Sequence, residues 1–303
     1  VIDLVNLPTK YLERFGREKV CEIIGQGSAM LSMWISRKRF PLEAVQKLVD
    51  FDPSLLGDIA PLYTNPKLGT KLIILMPLTG GPEPEVLDAF SQIYDPKEMD
   101  FKRVAFNNLS VARNALAGHF LRGPWEWALW WDGDTVAPYG NAEEFKKLCQ
   151  APNMSDTFAG VHSIYRMLVH KKTFVSACYV GRRKGAPPQF AEGESLSMRT
   201  MIKRGPRNEL MEREWTGFGF TLTHRSVFED IIKTQGDEIR VTNRGLSSRF
   251  GYEYAFFNPI DINVPGDDIP FCHRAARAGH KVVVDMSVFA AHIGNHAYTY
   301  NDL

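Results

Sequence analysis

The stretch Glu126-Trp127-Ala128-Leu129-Trp130-Trp131-Asp132-Gly133-Asp134-Thr135-Val136-Ala137-Pro138 decides how this chain is read. Its apolar run is too short for a typical buried helix and ends abruptly in two carboxylates flanking a glycine. That is the pattern of a buried strand stopping at a polar site. Two carboxylates one residue apart can both face a hard divalent cation if the backbone turns between them, and Gly133 allows the turn without steric cost. Asp134 is the first candidate ligand, with Asp132 sharing the ion through water or holding a ribose hydroxyl. Taken alone, Asp-Gly-Asp is also an ordinary loop turn, so the surrounding sequence has to decide.

Upstream, Lys71-Leu72-Ile73-Ile74-Leu75-Met76-Pro77 predicts a buried strand, and Leu78-Thr79-Gly80-Gly81-Pro82 a loop at its carboxyl end, where open α/β sheets bind ligands. A helix over 85–94, a strand over 101–106 and a helix over 111–121 follow. Beyond the quoted stretch come a helix over 141–149 and a strand over 172–180. This alternation predicts a Rossmann-like α/β fold, its mostly parallel sheet covered by helices on both faces. Gly266-Asp267-Asp268 opens a predicted helix over 269–278, closed by Gly279. Acids at a helix start also serve as caps. Apolar strand segments over 282–284 and 288–291 then lead to His292.

The 303 residues suffice for one large domain and a small one. A formal charge of +1 excludes a uniformly basic nucleic-acid binder, so such a surface has to be local. One candidate lies over 166–213, where eleven Lys or Arg face four Glu, with Arg182-Arg183-Lys184 directly after a predicted strand. Contacts of that kind hold a polyanion without reading its sequence. No apolar run reaches bilayer length and no signal peptide is evident, so no membrane is expected. The four scattered cysteines lack metal or redox spacing and suit reduced thiols in a cytoplasm.

The N-terminal residues read as a separate all-α unit over 1–57, with a linker rich in breakers over 58–67 and the catalytic domain over 68–303. A helix over 18–24 is broken by Gly25-Gln26-Gly27; Ser28 can cap a second, running to Ser36, and Pro41 suits the first turn of a third over 42–49. The stretch from Gly16 to Val45 resembles the helix-turn-helix domains of small phage repressors. That likeness implies Ser28 and Ser32 facing a DNA groove, with Arg37, Lys38 and Arg39 at phosphates. Helix-turn-helix units also serve as protein-interaction modules.

Trp131-Asp132-Gly133-Asp134 after its strand resembles the Asp-X-Asp motif of GT-A fold glycosyltransferases. Trp215-Thr216-Gly217-Phe218-Gly219-Phe220 resembles that family's acceptor-side turn, Gly266-Asp267-Asp268 its catalytic-helix motif, and Val288-Phe289-Ala290-Ala291-His292-Ile293-Gly294 its terminal strand with a metal-binding histidine. The resemblance implies Mn2+ or Mg2+ on Asp134 and His292 with help from Asp132, and a UDP-sugar donor. Ala112-Arg113-Asn114 looks like a stretch near the nucleotide in many such enzymes. Thr79, Arg113 and Asn114 become donor-site candidates, although Arg113 could equally bridge helices on the surface. Trp215 and Gly217 fall on the acceptor side. Asp268, with Asp267 beside it, matches the base that takes the acceptor's proton in inverting members; retention stays open. A carboxylate near its ordinary pKa of about 3.9 would act there through position.

A helix-turn-helix unit beside such a domain resembles phage DNA glycosyltransferases, including the TET-associated group, which implies 5-hydroxymethylcytosine in DNA as acceptor. Tyr179, Trp215 or Phe218 would receive a base that leaves the duplex. A glycosyltransferase for surface polysaccharide or protein, and a DNA-binding regulator that only senses a nucleotide-sugar, are the rivals.

Overall fold

The structure, a computed structural model, describes residues 7–36, 48, 71–148, 162–180, 209–243, 249–260, 266–294 and 297–298. Arg37, Lys38 and Arg39, the third helix apart from Leu48, the linker and Arg182-Arg183-Lys184 lie outside the described residues. Two N-terminal helices are described, α1 (Leu7–Ile24) and α2 (Ser28–Ser36). The first begins well before the predicted start, with a break at Gly16, whose φ of 76° is non-helical. Ser28 does not cap α2. The helix starts at Ser28 itself, and the Gly27 carbonyl accepts from the Met30 and Leu31 amides.

The remaining elements are β1 (Leu72–Leu78), α3 (Pro84–Ile93), β2 (Met99–Ala105), α4 (Leu109–Arg122), β3 (Trp127–Trp131), β4 (Thr135–Val136), α5 (Ala142–Leu148), α6 (Ser163–Leu168), β5 (Phe174–Cys178), β6 (Leu210–Arg213), β7 (Phe220–His224), α7 (Arg225–Ile239), α8 (Asp268–Arg277), β8 (Val282–Phe289), β9 (Ala291–Ile293) and β10 (Ala297–Tyr298). Seven strands make one sheet in the order β2-β1-β3-β7-β5-β8-β6, and a small second sheet runs β10-β9-β4. The α/β class matches the sequence reading. Five of the seven strands run the same way, so the sheet is mostly parallel as expected, while β7 inserts antiparallel to both β3 and β5, and β6 is antiparallel to β8. The pairs β1–β2, β1–β3 and β5–β8 are parallel.

Every residue of β1 is buried, as a central strand covered on both faces requires. Alternation along the strands sorts side chains into two cores. Ile74, Met76, Leu129, Trp131 and Phe220 pack with Val86, Ala89 and Ile93 of α3 on one face. Ile73, Leu75, Trp130 and Phe174 pack with Phe120 of α4, Phe228 of α7 and Phe271 of α8 on the other. Adjacent tryptophans thus anchor opposite layers, each worth roughly 1.5–3 kcal/mol of burial. Both indoles find acceptors, Trp130 at Thr223 Oγ1 (2.9 Å) and Trp131 at the Thr135 carbonyl (2.6 Å). Among the described residues no helix is long and apolar enough to cross a membrane.

Candidate active site

The carboxyl ends of β1, β3 and β5 open on a cleft of about 340 Å³, a size suited to a small ligand. Its lining includes Thr79, Gly80, Gly81, Glu83 and Leu109 together with Arg113, Asp132, Asp134, Tyr179, Asp268 and His292. Gly133 sits close to its neighbours: a Cβ there would lie 2.7 Å from Leu78 Cδ2 and 3.2 Å from Pro82 Cα. The Gly133 carbonyl accepts from the Glu83 amide at 2.7 Å, tying the two cleft loops together.

Asp134 and His292 meet because the small sheet makes them neighbours. Thr135 is the register partner of His292, and the Ile293 amide donates to the Asp134 carbonyl at 2.7 Å. His292 Nδ1 lies 3.0 Å from the Val180 carbonyl oxygen, so this nitrogen carries the proton and donates it. Nε2 faces Asp134 Oδ1, 3.5 Å away, and in the neutral ring it is the nitrogen that offers a lone pair. A carboxylate and an imidazole with its tautomer fixed by a backbone carbonyl are a fitting pair of ligands for a divalent cation. Among the described residues no group of three His, Cys, Asp or Glu side chains forms such a site. Water and ligand oxygens can complete the coordination of a hard cation. Asp132 stands outside this pair. Both its oxygens accept from Arg113 Nη2, at 3.0 and 2.8 Å, which accounts for its carboxylate differently from the expected help with the metal.

Arg113 departs furthest from expectation. It is not a surface bridge: its side chain is 1% exposed, lying over the rings of Phe218 and Phe257. Besides holding Asp132, it donates through Nη1 to Asp267 (2.7 Å) and to Asp268. Burial works against its charge, yet Asp132, Asp268 and Asp267 together raise its pKa well above the ordinary value. Asn114, expected at the nucleotide, instead faces the interior. It accepts from the Phe257 amide at 3.0 Å and donates to Asn258 Oδ1 at 2.9 Å, fastening α4 to the 256–258 segment.

Asp268 opens α8 after Gly266, whose φ of 76° favours glycine. Its carboxyl does not keep the ordinary pKa. Burial pushes it up to about 7, with Asp267 and Asp132 adding and Arg113 opposing. Asp132 is pushed up to about 6 by burial against the pull of Arg113, with Asp134 adding. Asp267 does not line the cleft; it supports Arg113 from behind.

The acceptor-side residues divide. Tyr179 lines the cleft, and its hydroxyl accepts from the Gly219 amide at 2.8 Å, leaving its own proton to donate. Burial, then Asp268 and Asp132, hold that phenol well above its usual pKa, so it stays protonated. Trp215 packs against the core of the α7–α8 face, and the Gly217 carbonyl accepts from Thr221 Oγ1 at 3.2 Å. Phe218 is fully buried among Trp130, Phe257 and Phe271, so it cannot receive a base. On α2, Ser28 Oγ and Ser32 Oγ both accept from Arg17 Nη1, at 3.1 and 2.6 Å, and share that exposed guanidinium.

No protein-family model matches this chain. No curated protein matches it either. Among solved structures, the crystal structure of A197 from STIV is similar, at 13% identity and a TM-score of 0.45, over 77% of this chain and 92% of that one.

Proposed function

We propose that this chain is a metal-dependent glycosyltransferase that moves a sugar from a UDP-sugar to a hydroxyl, with inversion. The observation that carries the reading is the placement of Asp134 and His292 Nε2 in one cleft with Asp268, a carboxyl raised to about 7. Three carboxylates, Asp132, Asp267 and Asp268, share a single guanidinium, and Asp134 lines the same cleft, a setting that repels a diphosphate unless a cation accompanies it. Asp134 and His292 would hold that cation, which supplies neutralisation of the charge on the departing diphosphate. Asp268, in its ionised form, takes the proton of the acceptor hydroxyl as the oxygen attacks the anomeric carbon. Its raised pKa makes it a stronger base than an ordinary carboxylate and keeps it poised near neutral pH. Thr79, Gly80 and Gly81 offer an open loop against which the nucleotide can lie.

For the acceptor we favour the hydroxymethyl group of 5-hydroxymethylcytosine in DNA, in a phage-infected bacterial cytoplasm. The helix pair α1–α2, with Arg17, Ser28 and Ser32 together on an exposed surface, and the lysine- and arginine-rich stretch over 166–213 are the features that support a polyanionic partner. The test is incubation with manganese, a panel of UDP-sugars and duplex DNA carrying cytosine or 5-hydroxymethylcytosine, followed by nucleoside mass measurement. A hexose-sized gain on the modified base alone, lost in Asp134→Ala and Asp268→Asn, is the expected result. Metal-dependent UDP release without any gain on DNA would move the acceptor to a glycan or protein. Donor binding with no turnover would favour a sensor.

A further inference from the structure

We infer that Arg113 is a positioning residue that ties the carboxylate after β3 to the carboxylate opening α8, and that it is not a ligand of the donor's phosphates. This inference rests on the glycosyltransferase reading. The terminal nitrogens of Arg113 are committed to carboxylates: Nη1 to Asp267 and Asp268, Nη2 to both oxygens of Asp132. The remaining donor, Nε, is buried without a partner among the described residues, so it offers nothing at the cleft surface. With the side chain 1% exposed and lying over Phe218 and Phe257, the guanidinium plane has little freedom to swing toward a phosphate.

Its base is equally fixed. Asn114 next to it clamps the 256–258 segment, and Gly118 one turn on packs so closely that a Cβ would lie 2.6 Å from the Gly251 carbonyl oxygen. Asp132 sits on the strand end that carries Asp134, and Asp268 is the proton acceptor of the proposed reaction. Their like charges would drive them apart without a cation between them. A planar fork that grips both sides with two separate nitrogens sets their separation, and a lysine ammonium, a compact charge on one nitrogen, cannot do so. Misplacing a reacting group by an ångström costs about 100-fold in rate.

The test uses the full chain and three variants of one position. R113K keeps the charge and loses the fork, R113A removes both, and R113A with added guanidinium ion restores the cation. Binding of UDP, GDP, CDP and dTDP with manganese is measured by calorimetry, the tightest binder serving as probe. Transfer kinetics and melting temperature are followed alongside. The expected result is that R113K holds the diphosphate within about threefold of the parent. Its kcat falls about 100-fold with donor KM unchanged, and free guanidinium, unlike ammonium, partly restores R113A. Loss of diphosphate affinity with kcat kept would make Arg113 a phosphate ligand and overturn the inference. So would parental kcat in a folded R113K that merely melts lower, which marks a structural role alone. If R113A does not fold, R113K decides. A parent chain that binds none of the four diphosphates removes the glycosyltransferase reading, and this inference with it.

Discussion

His292 Nδ1 lies 3.0 Å from the carbonyl oxygen of Val180, and this hydrogen bond determines which nitrogen faces the cleft. The carbonyl can only accept, so Nδ1 carries a proton, and in the neutral ring Nε2 is the nitrogen whose lone pair faces Asp134. The strand pairing that holds Thr135 opposite His292 puts the carboxylate beside that lone pair.

Substituting His292 by alanine should therefore weaken manganese binding without unfolding the domain, since the ring is partly exposed and its backbone pairs remain. A loss of at least about 10-fold in manganese affinity is expected, because even removing a ligand's supporting hydrogen bond typically costs 10- to 100-fold. Calorimetric titration of manganese, with and without UDP, measures it. Unchanged affinity in both conditions would exclude His292 as a ligand.

Gly118→Ala tests how α4 is seated. The added methyl would sit 2.6 Å from the Gly251 carbonyl oxygen and 3.1 Å from Tyr252 Cα, both backbone atoms that cannot rotate away. Either α4 or the 251–252 segment must shift, and a shift of α4 carries Arg113 and Asn114 with it. Urea denaturation should show a loss of roughly 1–3 kcal/mol, accompanied by a lower kcat.

The strand ending in Asp132-Gly133-Asp134 is legible in the sequence because an apolar run and its switch to carboxylates are both local. The role of Arg113 is not. Its partners are 19, 154 and 155 residues away, and only the packing of α4 under the sheet brings them to one guanidinium. Asn114 escapes the reading for the same reason, its partners lying 143 and 144 residues on. The sequence reading assigned no helix to 225–239. Its buried face is carried by Val227, Phe228, Ile231, Gln235 and Ile239, and the charged residues and Gly236 between them dilute the pattern. The strand β7 is not assigned in the sequence reading: its alternation of Phe220 and Leu222 with threonines is short and reads as half-buried, whereas the structure buries Phe220 through Thr223 between β3 and β5.

Asp285 gives a stability test remote from the cleft. It is fully buried on β8, its Oδ2 accepting from Arg166 Nε at 2.9 Å and lying 2.6 Å from His170 Nε2, while Oδ1 accepts from the Ser287 amide and hydroxyl. Burial raises its pKa, but the His170 hydrogen bond and the Arg166 charge outweigh it, leaving the carboxyl below its usual 3.8. A depressed folded-state pKa contributes stability above the unfolded value, lost as pH falls through the folded one. Asp285→Ala removes the carboxylate that Arg166 pairs with and should cost about 3–5 kcal/mol in urea denaturation at pH 7. A neutral result would mean that water compensates the guanidinium.

Asp268 should set opposite pH responses in activity and stability. Transfer needs its ionised form, so the rate should climb with pH and level off above about 7, and Asp268→Asn should lose about 100- to 10,000-fold. Stability runs the other way. The folded-state value of about 7 lies above the ordinary 3.8, so the folded chain binds the proton more tightly than the unfolded chain. The stabilisation is complete below about 3.8 and is lost as pH rises toward 7. Asp132, pushed up to about 6, acts in the same direction. Asparagine carries no charge at any pH, so Asp268→Asn should match the parent near pH 4 and exceed it in urea midpoint at pH 8. A variant less stable than the parent at pH 8 would mean that the ion pair with Arg113 outweighs the burial of the carboxylate, and the plateau in the rate should then move to lower pH.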